Sequence, residues 1–228
     1  MAGLGARAAT APPALIGRIF SARRRLQAPM SQASLFDTEE AAFPPGMHFE
    51  PDWLAASEET ALLEAIRALD LAQARYKQYT ARRRVASFGG KFDYDHNRLL
   101  PAPPVPPAFE PLRQRAAAWL GVEPGLFNQM LVAEYAPGTP LGWHRDVPDF
   151  ESIVGVSLLG EGEMRLRPYP PPTGRSDATR SLLLPRRSVY VLEGPARWQW
   201  QHSIVPTKVL RYSISLRTGR GSPPLLRR

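Results

Sequence analysis

The sequence predicts an α+β fold: a double-stranded β-helix (jelly roll) supported by N-terminal helices. Two observations predict it. Helical periodicity is confined to the chain before residue 121, and from Gln129 onward the chain consists of short apolar runs separated by Gly and Pro. Helices followed by many short strands are typical of sheets that pack face to face over one core. With 228 residues, the chain is long enough for one such domain.

Two segments have the periodicity of helices. The first begins at Ser57, its expected N-cap, and runs to about Gln73, and the second covers Phe109 to Leu120. Runs rich in β-branched and aromatic residues predict the later strands, which are Ser152–Leu159, Glu163–Arg167, Ser181–Leu184, Ser188–Leu192, Gln199–Ile204 and Leu210–Arg217.

The charge pattern divides the chain into residues 1–45, a basic tail expected to be disordered, a folded domain over 46–219, and a basic tail over 220–228. Residues 1–30 contain five Arg and no acid, and the last nine residues contain three Arg and no acid. Subtracting these eight from the 29 basic residues leaves 21, which equals the 21 acids. The net charge of +8 therefore lies in the tails and is weak evidence for nucleic-acid binding by the domain.

The N-terminal tail has two interpretations. The first is a transit peptide or a basic arm. The second, which we favour, is a disordered tail, or an upstream start codon with Met30 as the true first residue. The peptide Gln32–Phe36 (QASLF) resembles the short bacterial peptide that binds the sliding clamp, and a plain linker is the favoured alternative. A cytoplasmic, bacterial-type monomer is expected.

Composition excludes several classes of site. The chain has no Cys, which excludes disulfides and thiolate metal sites. No apolar run reaches the roughly 18 residues that a membrane-spanning helix needs, so no membrane partner is expected.

A candidate metal site begins at the end of an apolar strand, in the motif His144-x-Asp146. Residues two apart on a strand point to one face, so an imidazole and a carboxylate in this spacing can share one ion. His202 is available as a third ligand. Two His and one carboxylate leave open positions on iron(II), as in non-haem oxygenases.

A pair of arginines follows the third ligand. Arg211 and Arg217 lie six residues apart in one predicted strand, so the period of two brings both to the same face. A guanidinium group can bind a carboxylate through two parallel hydrogen bonds, which Lys cannot do.

These motifs carry a family resemblance, and in chain order its residues are Tyr135, Pro137, Gly138, His144, Asp146, His202, Arg211 and Arg217. In this order and spacing they resemble the AlkB family of Fe(II)- and 2-oxoglutarate-dependent dioxygenases, over roughly Arg82 to Thr218. The resemblance implies Fe(II), 2-oxoglutarate and O2 as cofactors. It also implies that Arg211 and Tyr135 bind the distal carboxylate of 2-oxoglutarate, and that Arg217 lies near the iron-bound end.

The activity that the resemblance implies is oxidative demethylation of N-alkylated nucleobases in DNA or RNA, such as 1-methyladenine and 3-methylcytosine, with release of formaldehyde. A base inside a duplex cannot reach the iron, so the substrate must be single-stranded or flipped out. One alternative is the same chemistry on a methylated protein side chain. A clamp-tethered binding module with an inactive site is a second alternative, and the intact motifs argue against it.

A loop is expected from Thr80 to Leu100, in the position of the family's nucleotide-recognition lid. Basic residues contact phosphates and aromatic rings stack on bases. The candidate substrate-binding residues are therefore Arg82, Arg83, Arg84, Phe88, Lys91 and Tyr94. The alternative interpretation is a surface hairpin with Phe92 and Tyr94 in the core.

Three further features bear on the site. Ala133 replaces an Asn that is frequent in the family, so a weaker polar contact to the cosubstrate is expected. Pro148 occupies a position where some members have an acid that reads the base, which leaves base preference open. Trp198 and Trp200 are expected to share one face, more plausibly in the core than as a wall of the site.

Overall fold

A computed structural model describes residues 43–76, 78–173 and 178–226. The predicted N-terminal tail up to residue 42 and the clamp-binding peptide Gln32–Phe36 lie outside these residues. Within the described ranges, every helix is too short or too polar to cross a membrane.

Both long helices precede the run of strands from Phe127 onward, as the sequence predicts, but five strands lie before the second of these helices and a short third helix lies between two late strands. The helices are α1 (Ala56–Arg67), α2 (Glu110–Leu120) and the short α3 (Gly194–Trp198), with 3-10 turns at Pro107–Phe109 and Pro124–Leu126. The strands are β1 (Met47–Glu50), β2 (Ala72–Tyr76), β3 (Tyr79–Phe88), β4 (Lys91–Asp93), β5 (Arg98–Leu100), β6 (Phe127–Tyr135), β7 (Leu141–His144), β8 (Phe150–Leu158), β9 (Gly162–Pro168), β10 (Arg180–Leu184), β11 (Val189–Leu192), β12 (Trp200–Ile204) and β13 (Arg211–Gly219).

Two antiparallel sheets form the body of the domain. The larger has the strand order β1-β11-β8-β13-β6-β3-β2, and the smaller has the order β10-β9-β12-β7. The strands β4 and β5 form a separate hairpin. The arrangement confirms the predicted double-stranded β-helix.

The alternation of side chains along the strands separates the core from the site. On β13, Tyr212, Ile214 and Leu216 pack with both long helices on one face of the larger sheet. The intervening residues of β13 face the other way, into a cavity that Arg211 and Arg217 line. A second apolar cluster lies between the two sheets. One strand therefore serves both the core and the candidate site.

The predicted first helix is too long, and its N-cap is wrong. Helix α1 is capped by Ala55, whose N–H donates to the Glu58 carboxylate at 2.7 Å, so Ser57 lies inside the first turn. The helix ends at Arg67, and Ala72 to Tyr76 pair with β3 as an edge strand. Pairing with a neighbouring strand outweighs the helical propensity of this segment.

The expected loop from Thr80 to Leu100 is also wrong, because it contains β3, β4 and β5. Strand β3 pairs with β6 from Arg84 to Phe88.

The predicted C-terminal tail over residues 220–228 is in part packed on the domain. Leu225 is buried and donates its N–H to the Glu193 carboxylate at 2.7 Å. The chain therefore stays in contact with the domain at least to that residue.

A buried carboxylate connects α1 to the larger sheet. Glu59 is 1% exposed, accepts the N–H of Leu159 at 2.8 Å, and pairs with Arg186 at 2.6 Å. We expect Glu59→Ala to lower the free energy of unfolding by about 2–4 kcal/mol, because it removes the acceptor of the partly buried Leu159 N–H and leaves a void where the Glu59 side chain was buried. Chemical denaturation measures this, with the exposed Glu64→Ala on the same helix as the control. Equal stability of the two variants would contradict the expectation.

Candidate active site

Three side chains that could hold a metal ion come together where the smaller sheet meets the start of β8. The ligand atoms of His144, Asp146 and His202 all lie within 4.8 Å of one another. His144 and His202 are directly paired residues on β7 and β12. Asp146 follows the end of β7, so the strand geometry expected for it stops two residues earlier. The structure therefore brings the three predicted residues together.

The orientation of His144 suits metal binding. Its Nδ1 lies 2.8 Å from the Gly142 carbonyl oxygen. A carbonyl oxygen only accepts hydrogen bonds, so Nδ1 carries the proton and Nε2 keeps a free lone pair. A hydrogen bond of this kind fixes the imidazole in many metal sites.

The electrostatics of the three residues also suit a cation. Burial lowers the pKa of His144, and burial together with the neighbouring His144 lowers the pKa of His202 to about 3. Burial alone would raise the pKa of Asp146, but the Arg217 guanidinium, followed by the two histidines, holds it well below its usual range. At neutral pH the cluster therefore has two neutral imidazoles and one carboxylate, the protonation states that bind metals.

Arg217 lies beside the cluster. Its Nη2 is 2.8 Å from Asp146 Oδ1, and its Nη1 donates to Gln129 Oε1 at 3.0 Å. Gln129 is directly opposite Arg217 on β6 and is a site residue that the sequence reasoning missed. The period of two on β6, which also brings Tyr135 to this face, could have identified it.

A second missed residue, Arg197, fixes the segment that carries Asp146. It is 2% exposed, and its Nη2 donates to the carbonyl oxygens of Asp146, Val147 and Phe150 at 3.0, 2.7 and 3.0 Å. Burial lowers its pKa, and the charge is retained because arginine titrates far above neutrality. Arg197 starts from a short helix in a different part of the chain, so no sequence signal connects it to Asp146.

Arg211 is the first residue of β13, and its side chain is enclosed by neighbouring residues. It is 1% exposed, its Nε donates to the Ser157 hydroxyl at 3.0 Å, and its guanidinium lies 5.2 Å from the ring of Tyr135. A Cβ at Gly162 would come within 2.9 Å of Arg211 Nε, so the glycine makes room for the side chain. Arg211 Nη1 is buried without a hydrogen-bond acceptor in the part of the chain that the structure describes. The free N–H groups of a buried guanidinium fit a carboxylate ligand.

A cavity of about 900 Å³ connects these groups. Its lining includes the three candidate metal ligands, Arg211, Arg217 and Tyr135. It also includes Tyr76, Arg83 and Phe92 from the strands β2 to β4, and Tyr94 from the turn after β4. The cavity is large enough for a small dicarboxylate and a further planar group at the same time.

The predicted substrate-binding residues lie in different environments because β3 alternates. Arg82 donates to the Gly138 carbonyl oxygen at 3.3 Å, and Arg84 pairs with Glu134 at 3.2 Å, both outside the cavity lining. Phe88 belongs to the core cluster, although one side of it lines the cavity. The run from Arg82 to Arg84 is therefore not one continuous cationic surface.

The other three predicted substrate-binding residues line the cavity. Arg83 is 8% exposed, Lys91 is exposed, and Tyr94 contacts the rings of Tyr76 and Phe92 at centroid distances of 4.6 and 4.9 Å. The alternative, a surface hairpin with Phe92 and Tyr94 in the core, is correct for the hairpin and wrong for the two rings, which line the cavity.

The tryptophans do not have the shared face that the sequence predicts. Trp198 ends α3 and lies between the guanidinium groups of Arg197 and Arg220, at 4.2 and 4.1 Å from its ring. Trp200 begins β12 with Arg180 above it. The turn from helix to strand between them breaks the alternation, so neither forms a wall of the cavity.

Comparison with known proteins identifies the family of this chain. The model of the 2OG-Fe(II) oxygenase superfamily matches residues 46–220. A mouse protein named tRNA (carboxymethyluridine(34)-5-O)-methyltransferase ALKBH8 is 29% identical over 73% of this chain. An Arabidopsis thaliana protein named alkylated DNA repair protein ALKBH8 homolog is 30% identical over 83% of this chain. The matches span 25% of the mouse protein and 62% of the Arabidopsis protein.

Solved structures share the fold. The structure of OsALKBH1 has a TM-score of 0.62 at 14% identity, with 77% of this chain and 98% of that chain covered. A Pseudomonas putida prolyl-4-hydroxylase has a TM-score of 0.54 at 16% identity, with 83% and 99% covered. The family match, the AlkB-type relatives and the shared β-helix agree with the sequence motifs, and this chain therefore belongs to the 2OG-Fe(II) oxygenase superfamily, as an AlkB-type dioxygenase that uses Fe(II), 2-oxoglutarate and O2.

Proposed function

We propose that this dioxygenase oxidises N-alkyl groups of nucleobases in single-stranded DNA or RNA, or in bases flipped out of a duplex. The observation that carries the proposal is one cavity of about 900 Å³ that joins the cluster of His144, Asp146 and His202 to a wall of aromatic rings. Aromatic walls bind flat rings by stacking, and enzymes that modify bases use such pockets for the extruded base.

In this proposal His144, Asp146 and His202 would hold the ferrous ion. The bound ion would supply the activation of O2, which couples decarboxylation of 2-oxoglutarate to succinate and CO2 with oxidation of the alkyl carbon. One oxygen atom enters succinate and the other enters the methyl group, and the resulting N-hydroxymethyl group releases formaldehyde and leaves N–H. The protein positions the reactants.

Arg211 and Arg217 lie at opposite ends of the bound cosubstrate. Arg211, with its unpaired Nη1 and the Tyr135 ring beside it, binds the distal carboxylate. Arg217 keeps Asp146 ionised and lies at the iron-bound end, 2.8 Å from the Asp146 carboxylate. Ser213 and Ser215 lie between the two arginines on the same face of β13 and offer hydroxyl groups along the cosubstrate.

The relatives support a nucleic acid as the substrate. The Arabidopsis relative is named for alkylated DNA repair, and the mouse relative is named for tRNA modification. Because the matches span only part of each relative, DNA and RNA both stay in the proposal. The sliding-clamp contact through Gln32–Phe36 also stays a prediction.

A product assay tests the proposal. Purified protein with Fe(II) and 2-oxoglutarate is incubated with DNA and RNA oligonucleotides that carry 1-methyladenine, 3-methylcytosine, 3-methylthymine or 1-methylguanine. Loss of the methyl group from at least one base, with matching formaldehyde and succinate, is expected. Succinate release without loss of methyl from any oligonucleotide would reject a nucleobase substrate, and a trimethyl-lysine peptide in the same assay tests the protein alternative.

A further inference from the structure

Arg83 is a buried cation that the known chemistry does not use. It lies on β3 and is 8% exposed. Its Nη1 donates to the Tyr135 hydroxyl at 3.4 Å, and its Nη2 donates to the Tyr76 hydroxyl. Both acceptors are neutral, and Nε is buried without an acceptor among the described residues. A buried guanidinium in such surroundings favours a ligand that brings a hydrogen-bond acceptor.

The cavity around Arg83 is rich in positive charge. Six basic side chains line it, which are Arg75, Arg83, Lys91, Arg145, Arg211 and Arg217. Among the described residues, two acids line it, Asp70 and Asp146. Arg75, Lys91, Arg145 and Asp70 are exposed and screened by water, whereas Arg83, Arg211, Arg217 and Asp146 lie inside the cavity. The charges of Fe(II) and of the 2-oxoglutarate dianion cancel each other, so the inner part of the loaded cavity, with three cations and one acid, keeps an excess of two positive charges.

The two acids cannot compensate a positively charged base. Asp146 already faces the Arg217 guanidinium at 2.8 Å and belongs to the candidate metal cluster. Glu134, the acid nearest in sequence to Tyr135, pairs with Arg84 at 3.2 Å and lies outside the cavity lining. Pro148 offers no charge two residues after Asp146.

On the basis of the proposed function, we propose that Arg83 determines the substrate class. The cavity takes uncharged N-alkylated bases that have a carbonyl oxygen beside the alkylated nitrogen, such as 3-methylthymine, 3-methyluracil and 1-methylguanine. It disfavours the cationic bases 1-methyladenine and 3-methylcytosine. Nη1 and Nη2 each carry a second N–H besides the one donated to Tyr135 or Tyr76, and a base carbonyl accepts one of these, whereas a cationic ring is repelled by the same guanidinium at close range.

The aromatic wall suits this arrangement. Tyr76 accepts from Arg83 and also contacts Tyr94 at a centroid distance of 4.6 Å, so the guanidinium and the rings form one continuous surface. The Arg83 guanidinium carbon lies 5.6 Å from the centre of the Tyr76 ring. A base that stacks on these rings therefore presents its edge to Arg83.

The competing role for Arg83 is to position Tyr135 for 2-oxoglutarate. The two roles predict different kinetics. Loss of a positioning contact would raise the KM for 2-oxoglutarate without changing the choice of base. Loss of the substrate contact would change the choice of base and leave the KM for 2-oxoglutarate within about threefold of the wild-type value.

The test compares kcat/KM for 3-methylthymine, 1-methyladenine and 3-methylcytosine in the same single-stranded sequence. We expect the wild-type enzyme to favour 3-methylthymine by about tenfold or more. Arg83→Gln should reduce this preference by about 10- to 100-fold, through slower reaction of the neutral base and faster reaction of the cationic bases. Arg165→Gln, which removes a charge outside the cavity lining, should leave the preference unchanged.

A binding measurement separates recognition from turnover. The protein is loaded with Fe(II) and 2-oxoglutarate without oxygen, and affinities for the same oligonucleotides are compared. Arg83→Lys keeps the charge but loses the planar guanidinium group. It should therefore weaken the binding of 3-methylthymine and still disfavour the binding of the cationic bases. It also serves as the test if Arg83→Gln does not fold.

The outcomes distinguish this inference from the proposed function. Equal reaction of neutral and cationic bases, or an unchanged preference in Arg83→Gln, would overturn the role of Arg83 and leave a nucleobase dioxygenase in place. A raised KM for 2-oxoglutarate with an unchanged preference would assign Arg83 to Tyr135 and also overturn it. Consumption of 2-oxoglutarate with no reaction of any base would reject the proposed function, and the inference with it.

Discussion

Asp146→Ala should abolish iron-dependent consumption of 2-oxoglutarate, with a loss of about 100-fold or more in turnover. The substitution removes the only carboxylate of the candidate metal cluster, and His144 and His202 alone hold iron(II) weakly. It also leaves Arg217 without the carboxylate that lies 2.8 Å away, so the cavity gains an uncompensated positive charge that opposes a metal cation. Fe(II) titration and succinate release measure the two effects separately.

Two controls separate metal binding from folding. Asp149→Ala removes an acid three residues later that does not line the cavity, and it should retain activity. Asp146→Asn keeps the size of the side chain and one acceptor for Arg217, so it should fold like the wild type and still bind iron poorly. An Asp146→Ala protein with wild-type turnover would remove Asp146 from the metal site.

The residues of the metal cluster could be predicted from the motif order that carries the family resemblance. Arg211 and Arg217 share a face of β13, so the period of two was sufficient for that pair, whereas the pairing of His144 with His202 joins two strands that are far apart in the sequence. Asp146 lies with the two histidines although it is beyond the end of its strand. The motif, and not the assumed local geometry, carried that prediction.

The parts of the site that depend on long-range contacts could not be predicted. Arg197 reaches the loop of Asp146 from a short helix about 50 residues later, and nothing in its sequence surroundings indicates this. Arg83 is one of three consecutive arginines, and its difference from Arg82 and Arg84 becomes visible only once this segment is known to be a strand. A loop was expected there, because the segment lies in the position of the family's nucleotide-recognition lid.

Arg211→Met should abolish the response to 2-oxoglutarate without damaging the fold. The guanidinium is 1% exposed, has no described carboxylate partner, and leaves Nη1 without an acceptor, so it is costly to bury in the absence of a ligand. We expect the KM for 2-oxoglutarate to rise by about 100-fold or more, and the stabilisation of the protein by 2-oxoglutarate to disappear. Thermal unfolding with and without 2-oxoglutarate measures the second effect.

A comparison with Arg197→Met makes this prediction specific. Both arginines are almost fully buried, but they differ in their hydrogen bonds. The Nη2 of Arg197 donates to three backbone carbonyl oxygens, whereas the Nε of Arg211 donates to one side-chain hydroxyl. Without ligand, Arg197→Met should therefore lower the melting temperature, and Arg211→Met should leave it unchanged or raise it. Arg211→Lys should not restore 2-oxoglutarate binding, because an ammonium group cannot form the paired hydrogen bonds of a guanidinium. An Arg211→Met protein that unfolds like Arg197→Met would make Arg211 a structural residue, and the distal carboxylate would need another partner.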